Sequence, residues 1–180
     1  IPTDRPIVYV TGGSLGAHSI NILVEPIIDK ITKHATLVHQ TGRVDKYKDF
    51  ERLAKISENN DRYFVFDNVL SNNIGWILHS ASLIISRSGA NTVFEHIALK
   101  KPAILIPLPW AGFNEQVLQA ELIDQVHAGI LFDQLRSPQE LYDAIKLMLV
   151  HTQEYIKSYG ALESYVNPNA AKDIISHVIE

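Results

Sequence analysis

The 180-residue sequence predicts an α/β fold: a Rossmann-like parallel sheet of about six strands flanked by helices. Three observations carry this expectation. Short apolar runs of four or five residues, mostly β-branched or aromatic, recur along the chain. Helix-length amphipathic stretches separate them, the alternation of a parallel sheet covered on both faces. The length and a hydrophobic share of 46% suffice for one domain with a real core.

Taken in order, Ile7 to Thr11 (IVYVT) is the first strand, and a helix is expected from about Ala17 to Lys33, kinked or restarted at Pro26. Thr36 to His39 is the second strand, with a helix from Val44 to Ser57. Tyr63 to Phe66 is the third, before a helix at Ser71 to His79. Leu83 to Ser86 then leads into a helix at Asn91 to Leu99. Ala103 to Ile106 leads into one at Asn114 to Val126. After a sixth strand at Gly129 to Phe132, helices follow at Pro138 to Val150 and beyond Pro168. No internal repeat or low-complexity segment interrupts this order.

Composition excludes several classes. A formal charge of −4 gives no basic surplus for nucleic acid or an anionic membrane surface. With no cysteine, disulfide scaffolds and thiol metal or redox sites are ruled out. No signal segment opens the chain, and its apolar runs are too short to span a bilayer, so a cytoplasmic domain without membrane contact of its own is expected. The eight histidines show no ligand spacing for a metal; His18 and His39 lie nearest the expected cleft.

Open parallel sheets bind ligands beyond the carboxyl ends of their strands, so the turns there hold the candidate residues. In YVTGGSLGAHSIN, Gly12 and Gly13 allow unusual backbone angles and close ligand approach, and Ser14 adds a hydroxyl. The following helix start favours a phosphate. The alternative is a tight connection with Ser14 as a helix cap. The turn is neither G-x-G-x-x-G nor a Walker loop.

The stretch LIISRSGANTVFEHIALKKPAIL repeats the arrangement. Gly89 and the N–H groups of Ala90, Asn91 and Thr92 can face a diphosphate, with Glu95 accepting from ribose hydroxyls. Against this stands a structural reading, in which Ser88 or Thr92 caps the helix and Thr92-x-x-Glu95 is a capping box. In IPLPWAGFNEQVLQAELI, Pro107 and Pro109 stiffen the loop, and Glu115 and Gln116 could read sugar hydroxyls. The alternative is an ordinary polar helix start with Trp110 and Phe113 packed inside. In LVHQTGRVDKY, Arg43 could steer an anion.

These segments, with HAGI after the last, occur in an order and spacing that resembles the C-terminal, donor-binding half of the MurG family of glycosyltransferases, across nearly the whole chain. The resemblance implies one half of a GT-B enzyme that transfers N-acetylglucosamine from UDP-N-acetylglucosamine to lipid I, making lipid II in peptidoglycan synthesis. It implies that Gly13 and Ser14 meet a phosphate, that Gly89, Ala90, Asn91 and Thr92 hold the diphosphate, and that Glu95 binds the ribose. The uracil falls near Leu70 and Ser71. The glutamine pair that reads the hexosamine falls on Glu115 and Gln116, and Glu115 departs from the pattern because an ionised carboxylate only accepts hydrogen bonds.

Residues 1–180 are thus expected to be a C-terminal nucleotide-sugar-binding domain. The N-terminal domain, which would hold the lipid-linked acceptor, the general base and the membrane-docking patch, is not in this sequence. The full enzyme would be peripheral on the cytoplasmic face of the membrane, would need no cofactor or metal, and would take no catalytic residue from this half. Alternatives are a stand-alone donor subunit of a dolichol-linked N-acetylglucosamine transferase, another UDP-sugar-dependent glycolipid enzyme, or a non-catalytic nucleotide-sugar-binding module.

Overall fold

The computed structural model describes residues 1–108, 110 and 112–179, except the side chains of Phe113 and Ile179. Pro109 and the Phe113 side chain, given roles above, therefore lie outside the described residues. Six strands, β1 (Ile7–Thr11), β2 (Thr36–Gln40), β3 (Tyr63–Phe66), β4 (Leu83–Ser86), β5 (Ala103–Leu105) and β6 (Gly129–Leu131), form one parallel sheet in the order β3-β2-β1-β4-β5-β6. Successive side chains of a strand point to opposite faces. Accordingly Val8 and Val10 enter one core with Ile20, Leu23 and Ile104, while Ile7 and Tyr9 enter another with Ile77 and Ile84. That double burial explains why β1 reads as an unbroken apolar run.

Helices α1 (His18–Val24) and α2 (Ile28–Thr32) are separated by a 3₁₀ turn at Glu25–Ile27 that holds Pro26, as the restart at this proline anticipates. The next helix, α3 (Asp49–Ser57), starts five residues later than expected. Lys48 takes a left-handed conformation with φ 50°, which breaks any helix running from Val44. Helices α4 (Ser71–Ser80), α5 (Ala90–Leu99) and α6 (Glu115–Gln125) follow the expected order. Helix α7 (Pro138–Val150) opens on a complete Ser137–Glu140 capping box.

Three elements were not anticipated: a 3₁₀ turn at Gly112–Asn114, α8 (Thr152–Ser158) and a 3₁₀ stretch at Tyr159–Tyr165. Tertiary packing holds the last of these, since Tyr159 and Leu162 bury against Val93 and Ile97, and the Tyr159 hydroxyl donates to the Lys101 carbonyl at 2.5 Å. Helix α9 (Ala170–Ile179) ends the described chain. Strands β5 and β6 each stop one residue early, yet Ile106 N–H still bonds Ser86 O and Phe132 N–H bonds Leu105 O.

The strand order places the site. From β1 the sheet grows through β2 to β3, whereas from β4 it grows the other way through β5 to β6. Between β1 and β4 lies the topological switch point, the crevice where sheets of this kind admit ligands. Thr11 and Ser86, the last residues of these two strands, are paired in register, so the two glycine-bearing turns leave the sheet side by side.

Candidate functional site

The turn after β1 is fixed from both neighbouring strands. Gly13 N–H donates to Thr11 Oγ1 at 3.1 Å, and Gly13 O accepts from Gln40 Nε2 of β2 at 3.2 Å. Gly13 has φ 87°, a left-handed angle that favours glycine, and open space beyond its α-carbon. Gly12 serves differently, because a β-carbon there would collide with the backbone nitrogen of Ala17. Ser14 caps nothing: the N-cap of α1 is Ala17, which has no side-chain cap. The capping alternative for Ser14 is therefore set aside, and its side chain is exposed on the rim of the crevice.

Beside it, the turn after β4 ends at Gly89, the N-cap of α5. The first bond of that helix runs from Val93 N–H to Gly89 O at 3.0 Å, leaving the N–H groups of Ala90, Asn91 and Thr92 outside the helical ladder. Ser88 does not cap the helix; it is buried and donates its hydroxyl to Gln116 O at 2.6 Å. Since Thr92 is already the third helical residue, the capping box with Glu95 does not form. Glu95 is an exposed side chain on a cavity wall.

Two cavities open over this switch point. One, of about 410 Å³, is lined by Tyr9, Gly13, Ser14, Gln40, Ser71, Thr92, Glu95 and His96 among others. A second, of about 680 Å³, runs over the Gly12–Ser19 turn to Tyr47, Arg87, Gly89, Leu108, Trp110 and Gln116. Gly13, Ser14 and Thr92 border both, so they divide one crevice into two compartments. A separate hollow of about 550 Å³, lined by Asp124, His127 and His151, lies by Gly129 at the opposite end of the sheet from the crevice.

Of the residues singled out in the sequence, this crevice gathers Gly13, Ser14, Ser71, Gly89, Thr92, Glu95 and Gln116. Ala90 and Asn91 line neither cavity; what they offer is backbone N–H at the start of α5. Leu70 faces a different, apolar hollow with Trp76 and Phe66. Glu115 is exposed and accepts from Gln119 Nε2 at 3.1 Å, outside both compartments, whereas Gln116 lines the larger one with Oε1 accepting from Leu108 N–H. Trp110 is 73% exposed, which overturns its reading as a packing residue. Arg43 is exposed and paired with Asp67.

Residues that the sequence did not reveal hold the crevice together. The Arg87 guanidinium bonds the carbonyls of Ile106 and Pro107, Gln134 Oε1 and Ser19 Oγ. Burial lowers its pKa from the ordinary guanidinium value, and it remains cationic at neutral pH. Beneath the turn after β1, Tyr63 OH, His39, Asn21 and Asp49 form a buried chain. Tyr63 donates to His39 Nδ1 at 3.0 Å, His39 Nε2 donates to Asn21 Oδ1 at 3.0 Å, and Asn21 Nδ2 donates to Asp49 Oδ2 at 2.8 Å. These directions follow from Asn21 Nδ2 also donating to Thr41 O, which fixes its oxygen toward His39.

Charge in this region is sorted by burial. His39 is pushed down to about 3 and His96 to about 4, in both cases by burial, so both are neutral. His39 is thus a core residue, not a cleft residue as its place at a strand end suggested. His96 is also buried, and it donates from Nε2 to Ser86 Oγ at 3.1 Å under the smaller cavity. Burial pushes the Tyr9 phenol up to about 12. For Asp49, burial pushes the carboxyl up, but donors from Asn21, His18 and Arg52 outweigh it and hold the group below its usual value.

The profile of the glycosyltransferase family 28 C-terminal domain matches residues 7–178. The chain belongs to this family. Among relatives of the family 28 domain described here, the UDP-N-acetylglucosamine--N-acetylmuramyl-(pentapeptide) pyrophosphoryl-undecaprenol N-acetylglucosamine transferase of Exiguobacterium sibiricum is 34% identical over 182 residues, covering 98% of this chain and 47% of its own length. A Bacillus cereus protein of the same name, numbered 2, is 30% identical over 178 residues, again 98% and 47%. The crystal structure of Acinetobacter baumannii MurG superposes with a TM-score of 0.77 at 22% identity, covering 96% of this chain and 49% of that one, a likeness of fold. The family 28 domain here thus spans about half the length of the relatives it matches.

Proposed function

We propose that this family 28 domain binds the nucleotide-sugar donor of an inverting glycosyltransferase, with UDP-N-acetylglucosamine as donor and a polyprenol-linked N-acetylmuramyl pentapeptide as acceptor. The observation that carries the proposal is the crevice between β1 and β4, where the turn bearing Gly13 and Ser14 and the start of α5 share two adjoining compartments. The names of the relatives from Exiguobacterium sibiricum and Bacillus cereus supply the donor and acceptor.

In this reading the diphosphate lies across the divide, against Gly13, Ser14 and the free N–H groups of Ala90, Asn91 and Thr92. Ten helical residues behind those groups give α5 a positive end suited to an anion. Glu95, released from any capping role, accepts from the ribose hydroxyls, and Ser71 is the nearer of the two uracil candidates. Gln116 reaches the hexosamine, while Glu115 faces away from it. Transfer is attack of an acceptor hydroxyl on the anomeric carbon with departure of UDP, whose growing negative charge the N–H groups of α5 stabilise. Residues 1–180 act as the C-terminal half of a longer enzyme. The acceptor site, the general base and the contact with the cytoplasmic membrane face belong to an N-terminal domain.

The test is transfer of N-acetylglucosamine to a lipid-linked acceptor by the full-length protein, with and without Thr92→Pro. Proline at this position lacks the N–H that would meet the diphosphate and removes no bond of the helical ladder, which starts at Val93 N–H. Activity lost with the fold retained supports the reading; undiminished activity contradicts it.

A further inference from the structure

His18, the first residue of α1, borders the larger cavity beside the glycine turn. Its ring is stacked on Tyr47, with centroids 3.8 Å apart and planes 6° from parallel. Its Nδ1 lies 3.0 and 2.9 Å from the two carboxylate oxygens of Asp49. Because Asp49 is held in its ionised, acceptor-only form, Nδ1 carries a proton and Nε2 is the nitrogen of the ring left open. No hydrogen-bond partner among the described residues engages Nε2, and the side chain is 33% exposed.

The two neighbouring guanidinium groups are committed elsewhere. Arg52 of α3 is spent on Glu25 and Asp49, and Arg87 on two carbonyls, Gln134 and Ser19. Lys46 lies 5.3 Å from the centre of the Tyr47 ring, and His39, which reaches Asp49 through Asn21, is buried and neutral. His18 is therefore the group on this wall that can change from acceptor to donor by taking up one proton.

We propose that His18, held by Asp49 and Tyr47, is a proton-gated ligand for the diphosphate of the donor, binding its oxygens as imidazolium and losing them when Nε2 is deprotonated. This rests on the nucleotide-sugar reading above. A competing structural role, in which the pair merely braces residues 43–48 against α1, involves no proton taken up on binding.

UDP-N-acetylglucosamine is a suitable probe because its diphosphate is doubly esterified and does not itself titrate near neutrality. Calorimetric titration of the chain at about pH 6 and about pH 8.5, in two buffers of different ionisation enthalpy, should show affinity about tenfold weaker at the higher pH and proton uptake on binding, the scale of one charge-assisted hydrogen bond. His18→Gln should bind weakly at both pH values without uptake. His18→Arg, permanently charged, should bind tightly at both. Uridine, with no phosphate, should be indifferent to pH in all three proteins. Unchanged affinity and pH dependence in His18→Gln would overturn the role of His18 while leaving the donor site in place. Absence of UDP-N-acetylglucosamine binding by the unaltered chain at either pH would overturn the donor reading and this inference together.

Discussion

Arg87 Nη2 lies 2.6 Å from Ser19 Oγ, so a side chain from the turn after β4 is tied to the first turn of the helix that leaves β1. The same guanidinium holds the carbonyls of Ile106 and Pro107 after β5. One planar, multidentate group thus sets the spacing of three loops around the crevice, a task that the point charge of lysine performs poorly.

Arg87→Lys is therefore expected to loosen the crevice more than the fold. Affinity for UDP-N-acetylglucosamine should fall about tenfold, and stability by about 1–3 kcal/mol as hydrogen bonds to a charged group are lost. Calorimetric titration and urea unfolding measure the two effects separately. Unaltered affinity would show that the spacing of these loops does not depend on the guanidinium.

Glu95 gives a cleaner separation, because α5 is capped at Gly89 and draws no capping bond from Thr92 or Glu95. Glu95→Ala should weaken binding of UDP-N-acetylglucosamine by about 2 kcal/mol, the scale of a charged acceptor withdrawn from a ligand hydroxyl, with the melting temperature nearly unchanged. A melting temperature lowered by several degrees at constant affinity would point to a structural carboxylate instead.

Acid should destabilise the domain in two stages. His39 and His96 have folded-state values of about 3 and about 4, below the unfolded value of 6.5. Between 6.5 and those values the unfolded chain binds more protons, so stability falls as pH falls, by up to about 1.4 kcal/mol per pH unit for each histidine. Asp49, held below its unfolded value of 3.8, contributes stability that is present above that value and is lost as pH drops through the folded one. Urea unfolding from pH 7 down to about pH 4 should show the histidine slope, and His96→Gln should remove its share of it. A flat profile over that range would contradict the buried, neutral state of both rings.

The sheet and its order of helices were legible because β1 and β4 are buried on both faces and must be written in unbroken apolar residues. The two turns were legible because Gly13 needs its left-handed backbone angle and Gly89 stands at the N-cap that starts α5. What escaped depends on partners distant in sequence. Val44 to Lys48 reads as helix until Tyr47 is drawn onto His18 and Lys48 turns left-handed. Thr92-x-x-Glu95 fits the capping pattern, yet the cap lies three residues earlier. His39 stands at the end of a strand like a cleft residue, but its ring is engaged by Asn21 and Tyr63 inside the core. Arg87 carries no local mark of the three loops that it joins.

The most direct measurement is calorimetric titration of this chain with UDP-N-acetylglucosamine, with UDP-glucose, GDP-mannose and NAD as comparators. The expected result is one binding site per chain, preference for the uridine nucleotides over GDP-mannose and NAD, and binding weakened by about 2 kcal/mol in Glu95→Ala. Equal or absent binding of all four compounds would contradict the assignment of the β1–β4 crevice as a nucleotide-sugar site.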